Sequence, residues 1–377
     1  MTNEHLDVAF AAIDDMVTPE NWVAAATAKG LMEGYHARWL RAHDDIDVME
    51  IEKTYQSPLV NIGTGKTSRT YNLAGKIDKL AHDASSQGNL VVWDHKTTSM
   101  DIADPDAPYW RQLTVEGQPL HYELLLLANK IRIDRVVWDV IKKPGIRPKK
   151  IAKKEAAGIV SLGEYCGRKV SEITKASFAA WPEPREDAEL YQIRLAVECT
   201  EDPDRYFQRR SVPHLQEELA EYAAELWDLG QKVRLCRNSG RHYRNSGACM
   251  LYGSPCKFLG ICSGHDTPDS DRWQQKESIH AELDLDGVDL GILTNSRLRC
   301  FQTCRRKHYY EYELGIERVD EEEKEALFFG SLFHAALDAW WASVSGLERA
   351  TNDDCDTESP TTAVGNSSSD GQEELAF

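Results

Sequence analysis

The chain has 377 residues, of which 44 are Lys or Arg and 62 are Asp or Glu, so its formal net charge is −18. This balance excludes a protein that coats nucleic acid through bulk charge, although an enzyme that handles DNA in a local groove stays compatible with it. Hydrophobic residues make up 41% of the sequence, which excludes wholesale disorder.

No apolar run approaches the roughly 20 residues that are needed to cross a bilayer. The first residues also lack the basic region of a secretory signal. We therefore expect a cytoplasmic protein without membrane contact. In that compartment the nine cysteines would stay reduced or bind metal.

Hydrophobic periodicity predicts the secondary structure of the first half of the chain. In chain order it indicates helices over 6–43, strands over 48–60 and 69–81, a strand over 89–94, a helix over 109–130 and a strand over 136–142. This order of strands and helices predicts a mixed α/β core.

Composition divides the whole chain into six segments. These are N-terminal helices (1–45), the α/β core (46–155), a helical region ending in a cysteine-rich stretch (156–264), a polar linker (265–290), a helical segment (291–345) and a disordered acidic tail (346–377). Within them, amphipathic spacing predicts further helices over 213–235, 294–313 and 324–343.

Two carboxylates come at the ends of predicted neighbouring strands. Asp78 follows Gly75-Lys76-Ile77, and Asp94 ends the apolar run Val91-Val92-Trp93. Strand alternation puts Lys96 on the same face as Asp94. Two carboxylates can hold Mg²⁺, which lowers the pKa of a bound water, and a nearby lysine can orient that water. The alternative is a surface ion pair, but the apolar strand running into Asp94 favours a position at the mouth of the core.

Three weaker features have simpler alternatives. Gln118 and Tyr122 would share a helix face and could contact a nucleic-acid backbone or support the metal, although ordinary packing also explains them. His334 lies in an apolar helix, where a satisfied core histidine is the default. A basic run could guide a nucleic-acid strand, and it includes Lys142, Lys143, Arg147, Lys149 and Lys150.

Cys249, Cys256 and Cys262 lie within 14 residues of one another. In a reducing compartment such a set favours a soft metal. The wide spacing suits an iron–sulfur cluster better than zinc, which usually takes tighter Cys-x₂₋₄-Cys pairs. Plain buried thiols are the third interpretation. A metal would need a fourth ligand, for which the sequence offers Cys304, Cys300 and Cys236.

Together these features resemble the PD-(D/E)XK nuclease superfamily. Within it they resemble the RecB-like and AddB-like branch with an iron–sulfur cluster, which includes phage exonucleases and CRISPR adaptation nucleases. The motifs that carry the resemblance are Gly75–Asp78, Asp94–Thr97, Gln118-x-x-x-Tyr122, the three cysteines, Ser296–Cys304 with Tyr309, Tyr310 and Tyr312, and Gly330–His334.

The resemblance implies a restriction-endonuclease-like α/β fold, in which a mixed sheet is flanked by helices and a helical segment binds the cluster. It implies a Mg²⁺ or Mn²⁺ site formed by His334, Asp78, Asp94 and the backbone carbonyl of His95. Lys96 would assist the attacking water, with Gln118 and Tyr122 in support. Cys304 would join the other three cysteines around a [4Fe–4S] cluster, with zinc as the alternative metal.

The order of the motifs departs from the family. There, the segment with the single cysteine and the histidine helix precedes the strands, whereas here it comes last, as in a circular permutation. Residues 20–45, a helix that contains Gly34–Trp39, look like the sequence that normally follows the histidine helix. A domain swap and a displaced gene boundary are the alternative explanations. In either of those cases, His334 and Cys304 would lie away from the rest of the site in one chain.

The sequence thus predicts a metal-dependent DNA exonuclease of the RecB-like group, acting on single strands or free ends in recombination, repair or phage DNA processing. The alternatives are a catalytically silent DNA-binding or assembly subunit that keeps the fold, and a zinc-stabilised adaptor. The last residues, Gln372–Phe377, resemble tail peptides that dock on sliding clamps or mimic single-strand-binding-protein tails, so a clamp or helicase partner is expected there; an uncommitted solubilising tail is the alternative.

Overall fold

A computed structural model describes residues 4–40, 46–84, 89–180, 185–212, 216–283, 291–319 and 325–346. Its α-helices are α1 (Glu4–Asp14), α2 (Trp22–Trp39), α3 (Pro108–Leu113), α4 (Gln118–Ala128), α5 (Lys153–Leu162), α6 (Glu172–Ala180), α7 (Ala188–Glu201), α8 (Pro203–Tyr206), α9 (Gln216–Ser239), α10 (Leu259–Ser263), α11 (Asn295–Thr303), α12 (Arg305–His308) and α13 (Glu325–Ser345). Its strands are β1 (Ile46–Asn61), β2 (Lys66–Asp83), β3 (Asn89–Thr98), β4 (Arg135–Lys142), β5 (Glu164–Tyr165), β6 (Arg168–Lys169), β7 (Phe207–Val212), β8 (Trp273–Gln275), β9 (Ile292–Leu293) and β10 (Ile316–Arg318).

The central sheet is mixed and has the strand order β1-β2-β3-β4-β7, with β9 paired to β2. The β1–β2, β2–β3 and β4–β7 pairs are antiparallel, whereas β3–β4 and β2–β9 are parallel. The parallel β3–β4 pair needs a crossover connection, which α3 and α4 provide. The predicted mixed α/β core is therefore confirmed.

Both faces of this sheet are covered by helices, because strand alternation turns successive apolar residues to opposite sides. Val91 packs in a core with α1, α2 and α13, whereas the next residue, Val92, packs in a second core with α4, α9 and α11. The sheet is thus the middle layer of three. None of the helices in the described ranges is long and apolar enough to cross a membrane.

The last helix, α13, returns to the first two helices of the chain. Its buried face packs in the same core as α1 and α2. Polar contacts hold it there, since His5 Nδ1 lies 2.8 Å from Ser343 Oγ and Trp340 Nε1 donates to His36 Nδ1 at 3.0 Å. This packing brings the late segment of the chain to the end of β3, where a Cβ on Gly330 would lie 3.5 Å from Thr97 Oγ1.

Several elements differ from the sequence prediction for local reasons. The helix predicted over 6–43 is two helices, because Pro19 opens a separate 3₁₀ turn between α1 and α2. The helix predicted over 109–130 is also two, since α4 begins afresh with Pro119 in its first turn. Strand β7 was hidden among predicted helices because it is polar, as an edge strand can be.

The segment predicted as a polar linker contains regular structure in its described part, 265–283. Strand β8 pairs with β10, and Trp273 stacks on Phe258 at a centroid distance of 5.3 Å. Backbone pairing and an aromatic contact therefore tie this polar stretch to the cysteine-rich segment and to the chain after α12. Polar composition alone did not reveal these two contacts.

Candidate functional site

Three carboxylates lie side by side across β1, β2 and β3. Ile51 pairs with Lys79 and Lys53 with Ile77, so Glu52 lies opposite Asp78. On the other side, Lys79 pairs with Trp93, and the pairing of β2 with β3 ends there. Asp78 and Asp94 are the next residues along each strand, where the two strands separate.

Asp94 is fully buried and is surrounded by the polar groups that the sequence motifs predicted. Lys96 Nζ lies 2.5 Å from Asp94 Oδ2 and forms an ion pair with it. The hydroxyl of Tyr122 donates to Asp94 Oδ1 at 3.2 Å, and Gln118 Nε2 donates to that hydroxyl at 2.5 Å. Helix α4 thus brings an amide and a phenol to one side of the carboxylate, as the i, i+4 spacing predicts.

His334 reaches the same site from α13. Its Nδ1 lies 3.9 Å from Asp78 Oδ2, and the backbone of His95 lies within hydrogen-bonding reach of its ring. The backbone N–H of His95 also donates to Asp78 Oδ2 at 2.7 Å. The structure therefore brings together Asp78, Asp94, Lys96 and His334 within one chain. His334 lies more than 230 positions after the other three in sequence.

Burial and neighbouring charges shift the pKa values of this site. Burial, followed by the negative charge of Asp94, raises the pKa of Asp78 well above its ordinary value, although Lys96 opposes the shift. Burial lowers the pKa of His334 to about 3, and the charges of His95 and Lys96 act in the same direction. A neutral imidazole and crowded carboxylates are a donor set that fits a hard divalent cation.

Glu52 belongs to this site, although its pattern in the sequence did not identify it. Glu52, Asp78 and His334 each offer a ligand atom, and these atoms lie within 4.8 Å of one another. The only sequence signal was that Glu52 lies in the strand before Asp78, which many surface glutamates share. Its backbone has a φ of 53°, which is rare for a non-glycine residue within a strand.

A buried network of charged groups orients His95 behind the site. Asp139 lies on β4 and is fully buried. Its Oδ2 accepts from the Tyr35 hydroxyl at 2.6 Å and lies 3.2 Å from His95 Nδ1, while Arg209 Nε donates to Oδ1 at 3.2 Å. Burial opposes the charge of Asp139, but Arg209 and His95 together lower its pKa below the ordinary value. Sequence reasoning missed these residues because they come from α2, β4 and β7.

The predicted basic run starts beside the site but is largely paired with carboxylates. Thr98 pairs with Lys142 in the parallel β3–β4 ladder, so the run begins two residues beyond Lys96 on the neighbouring strand. Lys142 Nζ lies 3.2 Å from Asp101, Lys143 Nζ 3.0 Å from Glu325, and Lys149 Nζ 3.4 Å from Glu155. Arg147 and Lys150 lie further along the same stretch. These exposed pairs are weak and can be exchanged for phosphate.

The four predicted cysteine ligands line one small cavity. Its walls are Cys249, Cys256, Cys262 and Cys304 with Arg244, Asn245, Ala248, Phe258, Leu259 and Lys307. Burial raises the pKa of Cys262, and the other three thiols act in the same direction. Cys300 and Cys236, the other candidates for a fourth ligand, are not among the lining residues.

The sulfur atoms in this cavity are not drawn together as they would be around one ion. A tetrahedral zinc with Zn–S bonds of about 2.3 Å holds its sulfurs about 3.8 Å apart. Among the described residues, Glu52, Asp78 and His334 form a group whose ligand atoms all lie within 4.8 Å of one another. No three of the described cysteines form such a group. The arrangement of the described cysteines therefore does not by itself show a metal site.

The fold is that of an α/β protein, with a mixed sheet between two helical layers. Its candidate site is acidic and contains a lysine, and it lies where the pairing of β2 with β3 ends. The chain belongs to the PD-(D/E)XK nuclease superfamily, whose sequence profile matches residues 2–263 and 292–369. Its members are typically metal-dependent phosphodiesterases that act on DNA. Comparisons with curated proteins and with solved structures gave no significant match. The predicted tail motif, Gln372–Phe377, lies outside the described residues.

Proposed function

We propose that the protein is a Mg²⁺- or Mn²⁺-dependent deoxyribonuclease, specifically a single-strand-preferring exonuclease of the RecB-like group that acts in recombination, repair or phage DNA processing. The observation that carries the proposal is the meeting of Asp78, Asp94, Lys96 and His334 at one point of one chain. A scaffold that only bound DNA would gain nothing from carboxylates crowded at one point, because their charges repel phosphate.

The donor set fits a divalent cation. Asp78, Asp94, the His334 ring and the backbone carbonyl of His95 would hold it, because hard oxygens and a neutral imidazole suit Mg²⁺ or Mn²⁺. When bound, such an ion activates water and stabilises the charge that develops on a phosphate. A cation between Asp78 and Asp94 would also relieve the repulsion that raises the pKa of Asp78.

The remaining side chains have separate roles. The Lys96 ammonium would orient the attacking water and add positive charge towards the phosphate. Tyr122 holds one oxygen of Asp94, and Gln118 holds Tyr122, so both fix the direction of the carboxylate. The basic run that begins at Lys142 would guide the strand by exchanging its carboxylate partners for phosphates.

The cysteine cavity would hold a [4Fe–4S] cluster. Support comes from the four thiols around one cavity and from the basic neighbours Arg244 and Lys307. These cations would offset the negative charge of a thiolate-bound cluster. The cluster would tie α12, which begins after Cys304, to the segment around α10.

The reversed motif order is compatible with one complete site, which is what a circular permutation would give. Helix α13 packs beside α1 and α2, so the chain brings His334 to the site without a second copy. Trp340 also meets Tyr35 edge to face at 5.5 Å, within the stretch that resembles the continuation of the histidine helix. A helicase or clamp partner at the C-terminal tail belongs to the same proposal.

Incubation of the purified protein with end-labelled single-stranded DNA tests the nuclease. We expect cleavage with Mg²⁺ or Mn²⁺, none with EDTA, and none in the Asp94→Ala variant. Slower cleavage of blunt duplex DNA would support the strand preference. If neither metal gives cleavage above the Asp94→Ala control while the protein still binds DNA, the chain is instead a silent DNA-binding or assembly subunit.

A further inference from the structure

Two lysine–carboxylate pairs flank Asp78. Strand β2 lies between β1 and β3 in the sheet, so Asp78 has Glu52 on one side and Asp94 on the other. Lys96 Nζ lies 2.5 Å from Asp94 Oδ2, and Lys76 Nζ lies 2.8 Å from Glu52 Oε2. The proposed mechanism uses the first lysine and gives the second no role.

Lys76 has the same access to the site as Lys96. It precedes Asp78 by two residues on β2, so strand alternation keeps their side chains on one face. Burial lowers the pKa of His334, and neighbouring positive charges, that of Lys76 among them, act in the same direction. The side chain of Lys76 is 24% exposed and that of Lys96 is 27% exposed. Both ammonium groups can therefore meet a substrate that enters from solvent.

The pair between Lys76 and Glu52 is one that a substrate can open. Partly exposed ion pairs contribute little to stability, because water competes for both charges. An anionic oxygen of the substrate can then replace the carboxylate as the acceptor. Lys53 forms a similar pair with Glu50, but that glutamate is outside the group of ligand atoms around Asp78. The two lysines of this hairpin thus offer a matched pair for experiment.

The geometry of phosphoryl transfer gives the two flanks different tasks. The attacking and leaving oxygens lie on opposite sides of the phosphorus atom. In the proposed function, the attacking water is oriented by Lys96, on the β3 side of Asp78. The leaving oxygen of a phosphate bound at Asp78 then lies on the β1 side, where Lys76 is the nearby cation.

We propose that the Lys76 ammonium leaves Glu52 when DNA binds and donates a hydrogen bond to the leaving oxygen of the scissile phosphate. This inference rests on the proposed nuclease function. A bond forms between the water oxygen and phosphorus, and the bond to the leaving oxygen breaks with its electron pair passing to that oxygen. The attacking water gives up its proton to solvent, the leaving oxygen takes one from solvent, and Lys76 stays charged. Its hydrogen bond stabilises the charge that develops on the leaving oxygen.

Cleavage of a strand with sulfur in place of the leaving oxygen tests this role. The products of the wild type on ordinary DNA first show whether the 5′ or the 3′ oxygen leaves, and the second substrate carries sulfur at that position. A thiolate is a far weaker base than an alkoxide, so it leaves without a hydrogen bond. In single-turnover reactions with Mn²⁺, Lys76→Met should cleave ordinary DNA about a hundredfold more slowly than the wild type, and the sulfur substrate within about threefold of the wild-type rate.

Further variants separate this role from a structural one. Lys76→Arg should recover about tenfold on ordinary DNA, because the guanidinium keeps a charged donor. Lys76→Gln should behave as Lys76→Met does, and it covers the case in which the Met variant folds poorly. Lys53→Met is the matched control and should equal the wild type on both substrates. Lys96→Met should be slow on both, since its proposed action is on the attacking water.

The outcomes also separate this inference from the nuclease proposal. If Lys76→Met and Lys76→Gln lose the same factor on both substrates, or cleave ordinary DNA at the wild-type rate, the nuclease proposal stands and the role of Lys76 is wrong. If the wild type cleaves neither substrate with Mg²⁺ or Mn²⁺, the nuclease proposal itself fails.

Discussion

The carboxylate site and the cysteine cavity are built on very different supports. Glu52, Asp78 and Asp94 lie on adjacent strands of the central sheet, between two large apolar cores. The cysteines lie on short helical turns and connecting segments. Among the residues that the structure describes, the buried core beside them consists of Phe258, Ile261, Tyr310 and Ile316.

This difference indicates how each region depends on its metal. A site on a packed sheet keeps its geometry when empty, and its like charges even oppose folding. A cavity next to a small core lacks comparable apolar burial, so an inorganic group would contribute much of its folding free energy. Substitutions should therefore separate activity from stability at the carboxylate site and couple the two at the cysteines.

The largest effect is expected at Asp78, one of the proposed metal ligands. Asp78→Asn should lower the cleavage rate at least about a thousandfold, because a divalent cation contributes several kcal/mol to the transition state. In EDTA the same variant should melt about 2 °C or more above the wild type. The reason is that burial and Asp94 raise the folded-state pKa of Asp78, so its charged form is destabilising at neutral pH.

The sign of the pH dependence checks that reason. Metal-free wild type should gain stability as the pH falls through the raised pKa of Asp78 towards the ordinary pKa of an aspartate in the unfolded chain, and Asp78→Asn should lack this gain. Thermal melting in EDTA across that pH range measures both. Asp134→Asn, an exposed carboxylate paired with Arg135, is the control and should change neither rate nor melting. A lower melting temperature for Asp78→Asn in EDTA would contradict the account.

The next effect is expected at the cysteine cavity. Cys304→Ser should lose the iron of a purified anaerobic preparation, from about four atoms per chain to near zero. Its melting temperature and its cleavage rate should fall together, because the cavity has little apolar core of its own. Iron analysis, the visible absorption spectrum and thermal melting measure these changes.

Cys300→Ser is the matched control, since Cys300 lies four residues earlier and is not a wall of the cavity. It should keep both iron and stability. Iron loss in Cys300→Ser but not in Cys304→Ser would move the fourth ligand to Cys300. A colourless wild-type protein that contains zinc would replace the cluster with the zinc alternative.

The same comparison explains what the sequence could predict. Asp78, Asp94 and Lys96 lie on strands whose alternation is visible, and Gln118 and Tyr122 lie at a helical spacing, so local patterns predicted which of them share a face, although their roles came from the resemblance to the family. His334 looked like an ordinary core histidine by itself, and only the resemblance to the family gave it a role. Its approach to Asp78 depends on the packing of α13 beside α1, which no local pattern encodes.

Glu52 shows why local patterns were not sufficient everywhere. Counting back along the hairpin from the Asn61–Lys66 pair would put Met49 opposite Asp78. An irregularity between Pro58 and Val60 shifts the pairing by three residues, so that Glu52 takes this place instead. A register shift of this kind depends on how the strands pack and has no reliable signature in a single sequence. The Asp139–Arg209 pair was missed for a related reason, since β7 is too polar to be predicted as a strand.

The smallest effect is expected at Tyr122, which contacts the buried carboxylate but has no proposed bond to the cation. Tyr122→Phe removes the hydrogen bond to Asp94 Oδ1 and leaves the ring in place. A hydrogen bond to a charged carboxylate is worth about 1.5–3 kcal/mol, so the cleavage rate should fall by about one to two orders of magnitude while Mn²⁺ binding stays intact. Tyr109→Phe is the control, because Tyr109 lies near enough to Asp94 for its pKa to be raised by burial and by that charge, yet the proposed mechanism does not use it. Equal losses in both variants would show that the Tyr122 hydroxyl has no particular role in orienting Asp94.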